Sequence, residues 1–252
     1  DRLTLRTGDG TLEGGPGDDT LVLQRQRGAT PVLDGGPGDD LYALGTERTV
    51  ILGRLADLEG NDSIEGGIGA ELDGFALGDG EDAVRNVVLR GTALAELGEG
   101  DDTLGEVGFA EVDLLDAAIA DLGPGDDRAA VALFGDNLVI AGTGEDRIVA
   151  RLGAASAGDA PVSADVFGGD DDDAITVDLS VSKSEPLTGV FNGPSLTARI
   201  GSVLVDGGEG ADVIDLVRRS GEADLSALLA GETIVVRGGP GPDSLGAANL
   251  PM

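Results

Sequence analysis

A six-residue phrase returns along this 252-residue chain, and a short internal repeat constrains a fold more tightly than any other sequence feature here. It is first complete at Gly14-Gly15-Pro16-Gly17-Asp18-Asp19, followed by Thr20-Leu21. It is last complete at Gly238-Gly239-Pro240-Gly241-Pro242-Asp243, followed by Ser244-Leu245. Its sixth position is aspartate in ten copies: Asp19, Asp40, Asp62, Asp82, Asp102, Asp127, Asp146, Asp173, Asp212 and Asp243. The first five copies lie 21, 22, 20 and 20 residues apart, and later gaps are 25, 19, 27, 39 and 31. A steady short period means one structural unit per repeat, each unable to bury its apolar face alone, with the wider gaps as insertions.

The unit is too short for a helix pair, and each glycine in a helix interior costs about 1 kcal/mol against alanine. Behind the phrase comes a period of two, which turns one side of a strand inward: Leu21 and Leu23, Tyr42 and Leu44, Ala129, Val131 and Leu133, Ile148, Ala150 and Leu152, Ile175, Val177 and Leu179. A second strand precedes the next phrase, as Val203 and Val205 before Gly207, or Ile234 and Val236 before Gly238. A lesser glycine turn lies between the two, at Gly28, Gly91, Gly108, Gly135 and Gly153. The expected fold is therefore all-β, a parallel β-roll or β-solenoid of coils of about 20 residues with the phrases along one edge. It spans 1–252 as a single domain, with insertions expected near 105–121, 153–166, 180–202 and 218–232. Glu111–Leu122 and Ser220–Leu229 also carry amphipathic helical character, so each could be a short helical insertion or a piece of coil.

The phrase has a chemistry of its own. Glycine accepts positive φ and lets carbonyls converge, and Gly15-Pro16-Gly17 suits a type II turn. Calcium takes roughly six to eight oxygens, which a tight loop can supply from carbonyls and a carboxylate. The candidate metal ligands are the ten aspartates together with the loop glycines at positions two and four. Those glycines are Gly15, Gly17, Gly36, Gly38, Gly78, Gly80, Gly98, Gly100, Gly123, Gly125, Gly142, Gly144, Gly208, Gly210, Gly239 and Gly241. Two copies depart. Asp57-Leu58-Glu59-Gly60-Asn61-Asp62 lacks the glycine pair, and Gly168-Gly169-Asp170-Asp171-Asp172-Asp173 has Asp171 where the others have the second loop glycine, which adds Asp171 to the candidates.

Position for position, G-G-x-G-x-D followed by an apolar residue two places on resembles the calcium-binding repeat of the RTX (repeats-in-toxin, hemolysin-type) family. The resemblance implies a β-roll with calcium ions between stacked loops, in a secreted bacterial protein exported through an uncleaved C-terminal signal. The family unit carries loops at both ends of an 18-residue coil. This sequence carries the full phrase at one end, and the best copy at the other is Gly66-Gly67-Ile68-Gly69-Ala70-Glu71, so one strong row of several ions is expected, about one per gap between loops, with the opposite side weak or empty.

With 48 acidic and 16 basic residues the formal charge is −32, which makes cations the expected partners and opposes nucleic acid and anionic membranes. The absence of Cys and His excludes disulfides, Cys or His zinc sites and any imidazole base. No apolar run is long enough for a membrane helix, so no membrane insertion is expected. A chain opening at Asp1 rather than Met reads as a piece of something longer. With Lys183 the one lysine, Tyr42 the one tyrosine and no nucleophile motif, catalysis within these residues is not expected, and no catalytic or organic cofactor site is assigned. Arg85, Arg128, Arg147 and Arg151 are expected to pair outward with acids. An ice-binding rod is disfavoured because Thr20, Thr103, Thr143 and Thr176 suggest no common column. The expected role is a calcium-binding structural module, extracellular or on the cell surface, that folds on Ca2+. It would serve as scaffold or spacer, or as a surface-adhesion or S-layer-like component, and could meet other copies or domains through its open sheet edges. The alternative is the C-terminal folding and secretion domain of a secreted protease, lipase, epimerase or toxin whose catalytic part lies elsewhere.

Overall fold

The computed structural model describes residues 1–6, 8–24, 31–45, 50–51, 55–56, 59–107, 111–153, 162–182, 200–217 and 233–248. Among them every regular element is a strand. The first ten are β1 (Arg2–Leu5), β2 (Thr11–Glu13), β3 (Thr20–Leu23), β4 (Val32–Asp34), β5 (Leu41–Leu44), β6 (Val50–Ile51), β7 (Leu55–Ala56), β8 (Ser63–Ala76), β9 (Ala83–Glu96) and β10 (Thr103–Leu104). There follow β11 (Val112–Asp116), β12 (Ile119–Pro124), β13 (Arg128–Thr143), β14 (Arg147–Gly153), β15 (Val162–Asp170), β16 (Ala174–Ser182), β17 (Ile200–Glu209), β18 (Val213–Val217), β19 (Ile234–Arg237) and β20 (Ser244–Ala248). No helix here is long and apolar enough to cross a membrane.

Strands pair in parallel with their counterparts one repeat away. The strand leaving each phrase forms one series, β1, β3, β5, β8, β9, β10, β13, β14, β16, β18 and β20. The strand arriving at each phrase forms the other, β2, β4, β7, β8, β9, β12, β13, β15, β17 and β19. In the longest strands, β8, β9 and β13, both parts run on without a break.

The inward residues of both series meet in one apolar cluster. All the alternating residues named above, from Leu21 to Leu179, are buried in it, with Leu33, Leu55, Phe75, Val139, Val166 and Val205 arriving from the second series. Burying a Leu, Ile or Val side chain contributes about 1.5–3 kcal/mol, so the repeats cohere through a narrow aliphatic strip.

The structure decides two open readings and corrects a third. Glu111–Leu122 is not helical: β11 and β12 lie in register between β9 and β13, because the pairing hydrogen bonds and a buried apolar face outweigh a weak helical propensity. The extra length of that repeat therefore falls at 105–111. Gly66–Glu71 forms no second phrase loop but lies within β8, where the register shifts between Glu65 and Ala70. Thr20 and Thr103 do share a column, though Leu41, Ser63 and Ala83 stand between them. The insertion residues 154–161, 183–199 and 218–232, Ser220–Leu229 among them, lie outside the described residues.

Candidate metal edge

Pairing of the leaving strands fixes the phrase loops above one another. Thr20, Leu41, Ser63, Ala83, Thr103, Arg128, Arg147, Ala174, Val213 and Ser244 form one column, so the aspartate before each forms another, and Asp1 falls in register at its head. All ten candidate aspartates are brought together. Nine are buried and Asp243 is half-buried.

The aspartates are joined by a continuous ladder. Each backbone N–H donates to Oδ1 of the aspartate one repeat on: Asp19 to Asp40 at 2.6 Å, Asp40 to Asp62 at 2.8 Å, Asp62 to Asp82 at 2.6 Å, Asp82 to Asp102 and Asp102 to Asp127 at 2.7 Å. It continues from Asp127 to Asp146 at 2.8 Å, Asp146 to Asp173 and Asp173 to Asp212 at 3.0 Å, and Asp212 to Asp243 at 3.3 Å. The amino group of Asp1 forms an ion pair with Asp19 Oδ1.

Only one oxygen of each carboxylate is used this way. Oδ2 of Asp102, Asp127, Asp146, Asp173 and Asp212 is buried with no hydrogen-bond partner. Burial therefore raises these carboxyl pKa values despite the opposing backbone hydrogen bond, to about 8 at Asp102, about 7 at Asp127 and Asp173, and about 6 at Asp146. A buried carboxylate needs a proton or a cation.

Glycines supply the surrounding oxygens. N–H groups at positions one, two and four donate to carbonyls of the following repeat, as Leu97 to Asp121, Gly98 to Leu122 and Gly100 to Pro124. Carbonyls at positions two and four lie where a Cβ on the next glycine of the column would stand. A Cβ at Gly36 would lie 2.7 Å from Gly15 O, and one at Gly38 would lie 2.6 Å from Gly17 C, with tighter overlaps at Gly123 over Gly98 and Gly125 over Gly100. Both columns hold positive φ, from 91° at Gly15 to 157° at Gly241; Gly78 alone among the candidate glycines does not, and its carbonyl accepts from Glu99 N–H. Asp171 keeps its place in the position-four column at φ 82°. In the third loop, Gly60 and Asp62 stand in their columns, while Asp57 and Leu58 lie outside the described residues.

Two features of the loops went unread in the sequence. Position five forms an exposed ladder of opposite sense, in which Asn61 N–H donates to Asp39, Glu81 to Asn61, Asp126 to Asp101 and Glu145 to Asp126; the acidic doublets of the phrase were its signal. Position one divides the loops. At Gly14, Gly168, Gly207 and Gly238 the aspartate of the same loop fills the space of a Cβ, whereas Leu77, Leu97, Leu122 and Ala141 send side chains into the core.

Among the described residues no three acidic side chains gather closely enough to hold an ion by themselves. A cation here would rest chiefly on carbonyls, with one ladder carboxylate per loop. The donors fit a hard cation such as calcium, since all are oxygens and, from Asp102 to Asp212, one buried carboxylate oxygen of each ladder aspartate lacks a hydrogen-bond partner. No family model matches the chain, and no curated protein matches it.

Proposed function

We propose that this chain is a calcium-binding β-solenoid module of the RTX kind whose folding is gated by the ion. It acts as a stiff scaffold or spacer in a larger secreted or surface protein. The observation that carries this reading is the unbroken column of buried aspartates, each with one oxygen on a neighbouring N–H and, from Asp102 to Asp212, the other facing no donor. The position-two and position-four carbonyls and the ladder carboxylate would hold the ion, which supplies positive charge to the gap between loops. One ion in each of nine gaps would bring the net charge from −32 to about −14, easing the self-repulsion that opposes compaction. Metal affinity then becomes folding free energy. The position-five ladder lies outside the cage and positions the loop.

Calcium titration of the metal-free chain, followed by far-ultraviolet circular dichroism, tests this. The expected result is conversion from a disordered spectrum to β-sheet at millimolar calcium, the range of extracellular modules, and reversal by chelator. A β-sheet spectrum that ignores both calcium and chelator would remove the ion from the account.

A further inference from the structure

The described stack is open at both ends, and the two ends share one register. The inward column that runs through Ile148, Ile175 and Ile214 is closed to solvent, yet its last member, Leu245, is 57 % exposed. Ile234 and Val236 of the same terminal coil are only half-buried. At the head, Leu3 stands in the column of Leu21 and Leu12 in that of Leu33, and Leu3, Leu5 and Leu12 are half-buried too. Repeat stacks stay single when their terminal repeats turn a polar face outward. Among the described residues neither end does so: each offers a section of the aliphatic core, and β1, β2, β19 and β20 each pair on one side alone, leaving strand edges that template further pairing.

Backbone groups at the two ends are complementary. In the ladder every aspartate N–H donates to the carboxylate one repeat on, and Asp243 is last in the column, with no aspartate following it. Asp1 heads the column with its side chain 88 % exposed, and no aspartate precedes it to donate to that carboxylate. Each leaving strand also opens with an N–H on the carbonyl of the aspartate before it, Thr20 on Asp1 and Ser244 on Asp212. Across a junction of two copies, Arg2 N–H and the Asp243 carbonyl would fill those same places.

Charges match as well. The residue just before each phrase forms a column that begins at Glu13, passes through Asp34, Glu96, Asp121 and Asp206, and ends at Arg237, its one basic member. The Arg237 side chain is 62 % exposed and only loosely paired with Asp206 behind it, at 3.5 Å. A second copy set one repeat further on in the same register brings Glu13 beside Arg237, Leu3 against Leu245 and Leu12 against Val236.

We propose that this solenoid joins head to tail with further copies of itself, β1 and β2 of one copy extending the two strand series beyond β20 and β19 of another. The junction continues the interface that already holds coil to coil, which is why a second copy is the occupant. The contact is heterologous and does not close on itself, so it builds an open filament. This goes beyond the calcium reading and rests on the strand register alone.

Sedimentation of the full chain over a concentration series, in saturating calcium and with its β-sheet spectrum checked, tests it. The weight-average mass is expected to rise about twofold or more above that of one chain. Arg237→Glu, which faces Glu13 with an acid, and Glu13→Arg, which faces Arg237 with a base, are each expected to weaken association about tenfold. The two changes together restore it. Residues 13 and 237 lie at opposite ends of the stack, so mutual rescue arises only between chains, and fraying of a terminal coil in a single variant cannot produce it. A folded chain that stays single at every concentration, single variants that associate like wild type, or a double variant no better than either single one would overturn the inference. A β-sheet chain that ignores calcium yet associates and shows the rescue would uphold it while ending the ion's part, and a chain without β structure in saturating calcium would end both.

Discussion

The phrase side of each repeat and the side where the chain returns are built from the same residues, yet they obey different rules. On the phrase side, loops from residue 14 to residue 243 keep six positions and one register, through nine ladder bonds of 2.6–3.3 Å. On the return side the register shifts between Glu65 and Ala70, Arg151 and Gly153, and Val162 and Ala164, and the variation in repeat length falls there. Left-handed residues occur on both sides, but the return side has open positions as well as crowded ones. From the second loop on, the left-handed position-two and position-four phrase glycines face the carbonyl of the preceding loop, and return-side Gly135 faces that of Asp116, whereas Gly91, at φ 75°, has nothing within 4 Å of a would-be Cβ. Length and side chains are thus restricted where backbone oxygens converge and tolerated where they do not.

The sharpest way to break that contrast is to add one methyl group to each side. Gly125→Ala places a Cβ in overlap with Gly100 carbonyl at φ 149°, combining steric overlap with backbone strain, and is expected to destabilise by about 3 kcal/mol or more. Gly91→Ala meets only the left-handed penalty, about 1 kcal/mol. Urea unfolding in saturating calcium measures both. Equal losses would mean that the two sides are equally crowded.

A smaller effect, confined to the phrase side, concerns protons. A folded-state pKa of about 8 at Asp102 against an ordinary 3.8 means that the ion-free folded chain holds more protons than the unfolded chain across that window. Its stability is therefore greatest below about pH 4 and falls as pH rises toward 8. Calcium should reverse the trend, since it competes with those protons and binds more tightly as pH rises. Circular dichroism of the chelated chain across this range should show β structure gained on acidification. Asp102→Asn, which keeps an acceptor for Asp82 N–H but carries no charge, should move the midpoint to higher pH. Asp101→Asn, on the exposed ladder, should leave it in place.

The contrast also explains what could be read in the sequence. Strand alternation from Leu21 to Leu179 and the aspartate column were legible because both are strictly periodic, with period two along the strand and about 20 along the chain. Glu111–Leu122 was ambiguous because its apolar residues satisfy helical and strand spacing alike, and only its position between β9 and β13 decides. The outer position-five ladder went unread because its donors are backbone N–H groups, which any residue supplies, and its acceptors are Asp or Asn alike, so a column that also holds Glu81 and Glu145 conceals it. The role of position one was likewise hidden: Gly168 and Leu122 occupy equivalent places, one yielding space to a carboxylate and the other filling the core.

The smallest expected effect belongs to the outer surface of the return side. Val88, Leu115, Ala132 and Phe134 form a second buried cluster separate from the main core, and the Phe134 ring packs on Gly153. Beside it Arg151 reaches back across the Ala132 column to Glu111, 40 residues away, in a two-pronged ion pair of 2.7 and 2.9 Å between side chains each 18 % exposed. This is the outward pairing expected of Arg151, and it fastens the 105–111 insertion to a repeat two further on. A forked arginine–carboxylate pair shielded to this degree is worth about 1 kcal/mol, and lysine cannot reproduce the fork. Glu111→Gln and Arg151→Lys should each lower stability in urea by about that amount, and by less than their sum when combined. Because neither residue contributes an oxygen to the phrase loops, the loss should be the same with calcium saturating or at its folding midpoint. A shift in calcium affinity on replacing Glu111 would show instead that the return side sets the spacing of the loops, and the independence of the two sides would fall with it.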